Sequence, residues 1–183
     1  MFPRNTNMED GVLLLLCFAG EFSTQTCFQG RHGEEIGSDE FGAMIIMHAP
    51  VVDQHDLVAH IENVELNYVG QAFRLGRYAI HYHLLGDMSG SYVRNCAIHR
   101  SFNRAVNVHN THNVLVQNNV AYNIMGGAFF LEDGVEMGNV FDGNLAIFVK
   151  SSTSLQNDDI TPAAYWVTNA NNTYKHNVAA GGQ

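Results

Sequence analysis

The chain has 183 residues, with 9 Lys and Arg against 18 Asp and Glu, a formal net charge of −9, 46% hydrophobic residues and 15% charged ones. That composition describes about one folded domain with a core and excludes a disordered chain. The acidity excludes a general nucleic-acid binder, which would carry a basic balance. Three cysteines, Cys17, Cys27 and Cys96, are an odd set without zinc-ligand spacing, so no disulfide framework is expected. Cys17 and Cys27 are left as one pair that an oxidising compartment would allow.

In chain order, residues 1–20 stand apart. Residues 12–19, VLLLLCFA, are an apolar run of eight, too short to span a bilayer. Arg4 before it resembles a signal sequence, but Glu9 and Asp10 directly precede the run, so a buried strand or a gene-model artefact is the competing reading. Residues 21–55 form a lead-in or capping segment. Glu34, Glu35, Asp39 and Glu40 give it four carboxylates in seven residues, a solvated loop with a weak calcium-loop alternative that lacks EF-hand spacing.

From residue 56 to 183 the sequence repeats. Asn63, Asn95, Asn119, Asn144 and Asn177 each precede a short apolar run, at steps of 32, 24, 25 and 33 residues. A period near 24, with no helical period between units, predicts a right-handed single-stranded parallel β-helix of about five coils, all-β and incomplete at its C-terminal end. Asn suits the bends because it tolerates left-handed backbone angles, and stacked coil on coil the five form an amide ladder. A raw solenoid end exposes strand edges and would make the segment aggregation-prone. The two long steps predict insertions at residues 74–88 and 151–164, and in solenoids the inserted face is the binding face.

Residues 74–112 hold five of the nine cations and five of the ten histidines against one acid, Asp87. Arg74, Arg77, Arg94, Arg100 and Arg104 suit bidentate recognition of a carboxylated or sulfated glycan, with inward pairing to Glu132, Asp133 or Glu136 as the alternative. Arg74, Arg77, Arg100, Arg104 and His109 are the candidate ligand-binding residues. His81 and His83, alternate in a strand, share a face about 7 Å apart. With Asp87 and Glu132 they are the catalytic candidates, although no diagnostic motif supports them. An HxH pair alone does not make a metal site, so none is expected. Glycoside hydrolysis needs two carboxylates across the scissile bond. Glu132 and Asp133 on one strand would point to opposite faces, so a dyad would have to join separate coils, for example Asp87 with Glu132. Asn171-Asn-Thr173 is a glycosylation acceptor pattern if the chain is secreted.

The stretches GEFSTQTCFQGRHGEEIGSDEFG, QAFRLGRYAIHYHLLGD, SYVRNCAIHRSFNRAVNVHNTHNVLV, GGAFFLEDGVEMGN and STSLQNDDITPAAYWVTNANNTYKHNVAAGG resemble the fibrocystin-L family over residues 20–183. Residues 1–19 lie outside the resemblance. It implies a piece of a very large single-pass cell-surface protein with immunoglobulin-like, glycine-rich G8 and parallel β-helix modules, related to cell-surface and secreted hyaluronidases. The membrane anchor would lie in other parts of that chain. The family is regarded as receptor-like or surface-coat, which favours a non-enzymatic module recognising an anionic glycan or an extracellular protein. A hyaluronan-cleaving hydrolase is the alternative. No cofactor is expected, with calcium reserved for the hydrolase reading, and no nucleic-acid partner.

Overall fold

The computed structural model describes residues 26–29, 42–53, 57–72, 74–152 and 160–182, with side chains from residue 42 onward. The apolar run at 12–19, the acid cluster at 34–40 and Cys17 lie outside the described residues. Among the described residues every regular element is a strand, and the strands form three parallel sheets. Sheet I contains β2 (Ile45–His48), β5 (Ile80–Asp87), β8 (Val106–His112), β11 (Phe129–Leu131) and β14 (Tyr165–Trp166). Sheet II contains β3 (His60–Glu62), β6 (Tyr92–Arg94), β9 (Leu115–Gln117), β12 (Val140–Asp142) and β15 (Thr173–Lys175). Sheet III contains β1 (Thr26–Gln29), β4 (Val64–Asn67), β7 (Ala97–Ser101), β10 (Val120–Met125), β13 (Leu145–Lys150) and β16 (Val178–Gly182).

Among the described residues the chain visits sheets I, II and III in turn five times, so their architecture is a three-sided parallel β-helix of five coils. Coils begin earlier than residue 56, because β2 pairs with β5 and β1 with β4. Alternation explains that early start: Met47 joins the same core as Ile80 and Tyr82, so β2 is already a wall of the solenoid.

In-register stacking puts like side chains on like. Ile61, Val93, Val116, Phe141 and Tyr174 share one inward column of sheet II. Phe141 stacks on Tyr174 with centroids 4.6 Å apart, and Phe129 on Tyr165 at 5.2 Å. The spacing is that of neighbouring strands, so the rings meet face to face. Burying each such ring contributes on the order of 2 kcal/mol from removed apolar area.

The bend from sheet II to sheet III corrects the expected amide ladder. Asn119, Asn144 and Asn177 share one register position. There the Asn119 Nδ2 donates to Val93 O at 2.9 Å and to Asn144 Oδ1 at 3.0 Å. The Asn144 Nδ2 donates to Val116 O and Asn177 Oδ1 in the same pattern. Asn63 and Asn95 sit one position earlier, aligned with Asn118, Gly143 and His176, all at left-handed φ between 55° and 69°. The ladder position above Asn119 belongs to Cys96, whose backbone N–H donates to Asn119 Oδ1 at 3.0 Å. Burial pushes the Cys96 thiol up to about 11. Two adjacent positions of one bend both favour Asn for different reasons, so the repeated Asn in the sequence falls on one position in the first two coils and on the next in the other three. A second amide stack precedes sheet II: Asn139 Oδ1 accepts from Val114 N–H, and Asn172 Oδ1 accepts from Asn139 N–H.

The first insertion shifts while the second stays. Most of the extra residues of the first long step lie at 68–79, between β4 and β5, overlapping only the start of the expected 74–88, and β5 itself carries a bulge between His83 and Gly86. The second long connection is 151–164, between β13 and β14, of which 153–159 lie outside the described residues. The equivalent connections at 102–105 and 126–128 are a few residues long. Both long connections thus enter sheet I.

Candidate functional site

Alternation along sheet I turns Ile80, Tyr82, Val106, Val108, Phe129 and Leu131 into the core and leaves the intervening side chains outside. Register then arranges the outer residues in two rows. One row is His48, His83 and His109; the other is His81, Asn107, Phe130 and Trp166. His81 and Asn107 are outside the cylinder yet 1% and 0% exposed, because the preceding connections fold over them and bring Tyr78 and Arg104 to the sheet.

Arg104 is the pivot of this cover. Its guanidinium carbon lies 3.6 Å from the Phe130 ring centroid, a cation–π contact, and 4.9 Å from that of Tyr78. Its Nη1 donates to Asn107 Oδ1 at 3.1 Å and lies 3.5 Å from Glu132 Oε1. Glu132 accepts from the Tyr78 hydroxyl at 2.9 Å and from Asn107 Nδ2 at 2.8 Å. Burial, with the Glu132 charge added and Arg104 opposing, holds the Tyr78 hydroxyl far above its ordinary range. Arg104 is 1% exposed, so it is removed from the predicted surface row of arginines: the inward alternative is the one the fold adopts.

The histidines converge beside this network. His81 and His83 rings are 4.8 Å apart, His83 and His109 5.0 Å, with the two Nδ1 atoms at 3.1 Å. His81 donates or accepts through Nδ1 at Gly76 O, 2.9 Å away; opposite a carbonyl, that nitrogen must be the N–H. Burial first, then the neighbouring His83, lowers the His81 pKa to about 3, and burial followed by His109 lowers that of His83. These rings are therefore neutral near pH 7. His109 lies between two carboxylates, with Nε2 2.8 Å from Asp133 Oδ2 and Nδ1 3.6 Å from Glu132 Oε2. Consecutive acids thus reach one ring, against the expectation of opposite faces. The reason is that β11 ends at Leu131, and the strand alternation ends with it.

Glu136, fully buried, organises that turn. Its carboxylate accepts from the backbone N–H groups of Asn110, Asp133 and Gly134 at 2.8, 3.1 and 2.8 Å. Glu136→Ala strips three part-buried donors of their acceptor and is expected to lower stability by about 2 kcal/mol. In a thermal melt that is a Tm drop of roughly 4–8 °C; an unchanged Tm would remove Glu136 from this role.

The remaining predicted residues lie elsewhere. Asp87 ends β5 opposite His112, five strand positions past Asn107 and so roughly 16 Å along the sheet, and accepts from Ser89 and Asn113. An Asp87–Glu132 dyad is not assembled. Arg100 is on sheet III, where a left-handed bend in β7 carries it over Tyr68 and onto Asn67 Oδ1 at 2.8 Å. Arg94 pairs with Glu62 on sheet II at 2.9 Å. Arg74 and Arg77 are exposed in the long 68–79 connection, beside sheet I. Asn171 is exposed, at the turn before β15. Tyr78, Asn107, His48 and the Phe130–Trp166 pair, stacked at 5.4 Å and 3°, were not singled out from sequence. Outward alternation opposite HxH was the signal that would have found His48 and Asn107.

Residues 40–183 match the CEMIP β-helix family. The chain belongs to that family. Among CEMIP β-helix relatives, human Fibrocystin-L is 62% identical over 164 residues, covering 89% of this chain and 4% of its own length. The zebrafish (Danio rerio) protein named Cell surface hyaluronidase is 31% identical over 189 residues, covering 86% of this chain and 13% of its own length. The mouse Cell migration-inducing and hyaluronan-binding protein is 43% identical over 107 residues, 55% of this chain and 8% of its own length. The chain thus spans a small fraction of each of these relatives.

Proposed function

We propose that this β-helix is an extracellular recognition module of a cell-surface protein, and that it takes an anionic glycan of the hyaluronan class on the outer face of sheet I. The observation that carries the reading is the composition of that face. Trp166, half-buried and stacked on Phe130 at the β14 edge, offers a flat apolar ring for a sugar face. The imidazole row runs along β2, β5 and β8, and the exposed Arg74 and Arg77 lie toward the other edge, where Arg77 Nη1 is 3.4 Å from Met44 Sδ. Relatives named for hyaluronan binding and for cell-surface hyaluronidase activity support the ligand class and the location. An exposed Asn171 sequon fits a glycosylated surface protein.

Titration of hyaluronan oligosaccharides onto the chain tests this. The Arg74→Ala/Arg77→Ala double variant changes only exposed side chains and should weaken binding about tenfold, or about 1.4 kcal/mol. Its dependence on salt should be shallower than that of the wild type. Wild type without measurable binding at low salt would sink the reading. The hydrolase alternative has one specific support, the carboxylate of Glu132 held between Tyr78 and Asn107 with Asp133 across His109. Reducing ends released from hyaluronan, with or without calcium, and lost in Glu132→Gln would replace recognition with cleavage.

A further inference from the structure

We propose that His81, His83 and His109 form a binding site for a borderline divalent transition-metal ion of the zinc type on the outer face of sheet I. One nitrogen from each ring can be chosen so that all three lie within 4.8 Å of one another. The two Nδ1 atoms of His83 and His109 are 3.1 Å apart. Two nitrogens on one tetrahedral zinc, each at 2.0–2.1 Å, stand roughly 3.3 Å apart, so this pair already has a chelating separation. Rotation of the half-exposed His83 and His109 rings about χ2, a broad torsion, draws the wider distances in.

The outer partners favour ligation through defined atoms. His81 gives its Nδ1–H to Gly76 O, which leaves the Nε2 lone pair bare, and that Nε2 is buried without a partner. His109 gives its Nε2–H to Asp133 Oδ2 at 2.8 Å, which leaves Nδ1 bare and turned toward His83. A carbonyl or carboxylate on the far nitrogen is the arrangement that fixes the tautomer and raises the basicity of a metal-bound imidazole. In the metal-free protein His83 donates its Nδ1 proton to His109; for Nδ1 to ligate, that proton moves to Nε2 through solvent, so His83 binds as the neutral Nε2–H tautomer with no net proton lost. Glu132 Oε2, 3.6 Å from His109 Nδ1, stands next to the triad as an anionic neighbour for the added charge. Neither His81–His83 spacing nor charge would reveal this site, because the third ligand comes from the next coil.

Zinc titration of the chelator-treated chain against a competing chromophoric chelator tests the site. One tightly bound zinc per chain is expected, with an X-ray absorption spectrum of imidazole-dominated coordination and a higher Tm on zinc addition. Calcium should not displace it. His83→Ala and His109→Ala should each weaken zinc at least 100-fold, whereas His99→Gln, on sheet III, should leave it unchanged. Circular dichroism shows whether each variant is folded. Wild type with no zinc bound above the level of scattered surface histidines overturns the proposal, and so does tight binding that survives both triad variants. The glycan titration above reads a different quantity, so either proposal can fail alone.

Discussion

Arg104→Ala is expected to lower the unfolding free energy by about 3–5 kcal/mol, the range for removing one partner of a buried ion pair. The guanidinium is 1% exposed and touches Phe130, Tyr78, Asn107 and Glu132 together. Without it the Glu132 carboxylate, with only 15% of its side chain exposed, keeps its charge beside an apolar ring and a void. Lysine is no substitute, because an ammonium has no planar face to lie on Phe130 while its nitrogen reaches Tyr78, Asn107 and Glu132 as Nη1 does here. In urea unfolding followed by circular dichroism, Glu132→Gln in the Arg104→Ala background should return part of the loss. A coupling of at least about 1 kcal/mol is expected for groups in contact. An Arg104→Ala loss below about 1 kcal/mol would show that the cation is not structural.

Asn119→Ala carries the next largest effect. Its amide serves three neighbours on two coils: it accepts from Cys96 N–H and donates to Val93 O and Asn144 Oδ1. All of these groups are buried; alanine leaves Cys96 N–H and Val93 O without the amide, while its own backbone N–H still donates to Asn144 Oδ1 at 3.0 Å. At about 1–3 kcal/mol per stranded buried group, with partial relaxation, the expected loss is about 3–4 kcal/mol. Asn177→Ala is the built-in comparison. That residue, on the fifth coil, makes the same kind of contacts, donating to Phe141 O and accepting from Asn144 N–H and Nδ2, but it is half-buried, so water replaces part of what is lost and about 1 kcal/mol is expected. The same denaturation midpoints read both, and equal losses at the two positions would argue against a ladder whose strength depends on burial.

The periodic features of this chain were legible because each repeat writes the same chemistry: a bend residue, then an inward apolar column. What was not legible depended on register. Asn118 and Asn119 adjoin, one favoured by its left-handed φ and one by the amide column, and residue type alone does not say which of them faces Asn95. The shared face of His81 and His83 followed from strand alternation, but His109 joins them only through pairing across a coil. Likewise Arg104 turned inward because Tyr78 and Phe130, 26 residues to either side, form its slot. Glu132 and Asp133 were read as strand residues because the end of β11 is set by the Glu136 turn, a tertiary contact.

The long connections have a consequence for how this solenoid can change. The bend between sheets II and III keeps the same length in every coil, and a single added residue there would turn the next strand's inward set outward. Residues before and after sheet I vary freely in number without disturbing that phase. Two sheets and their shared bend therefore act as a spine of fixed pitch, and the third carries a variable rim. New specificity can be written on the rim while the spine continues to specify the fold.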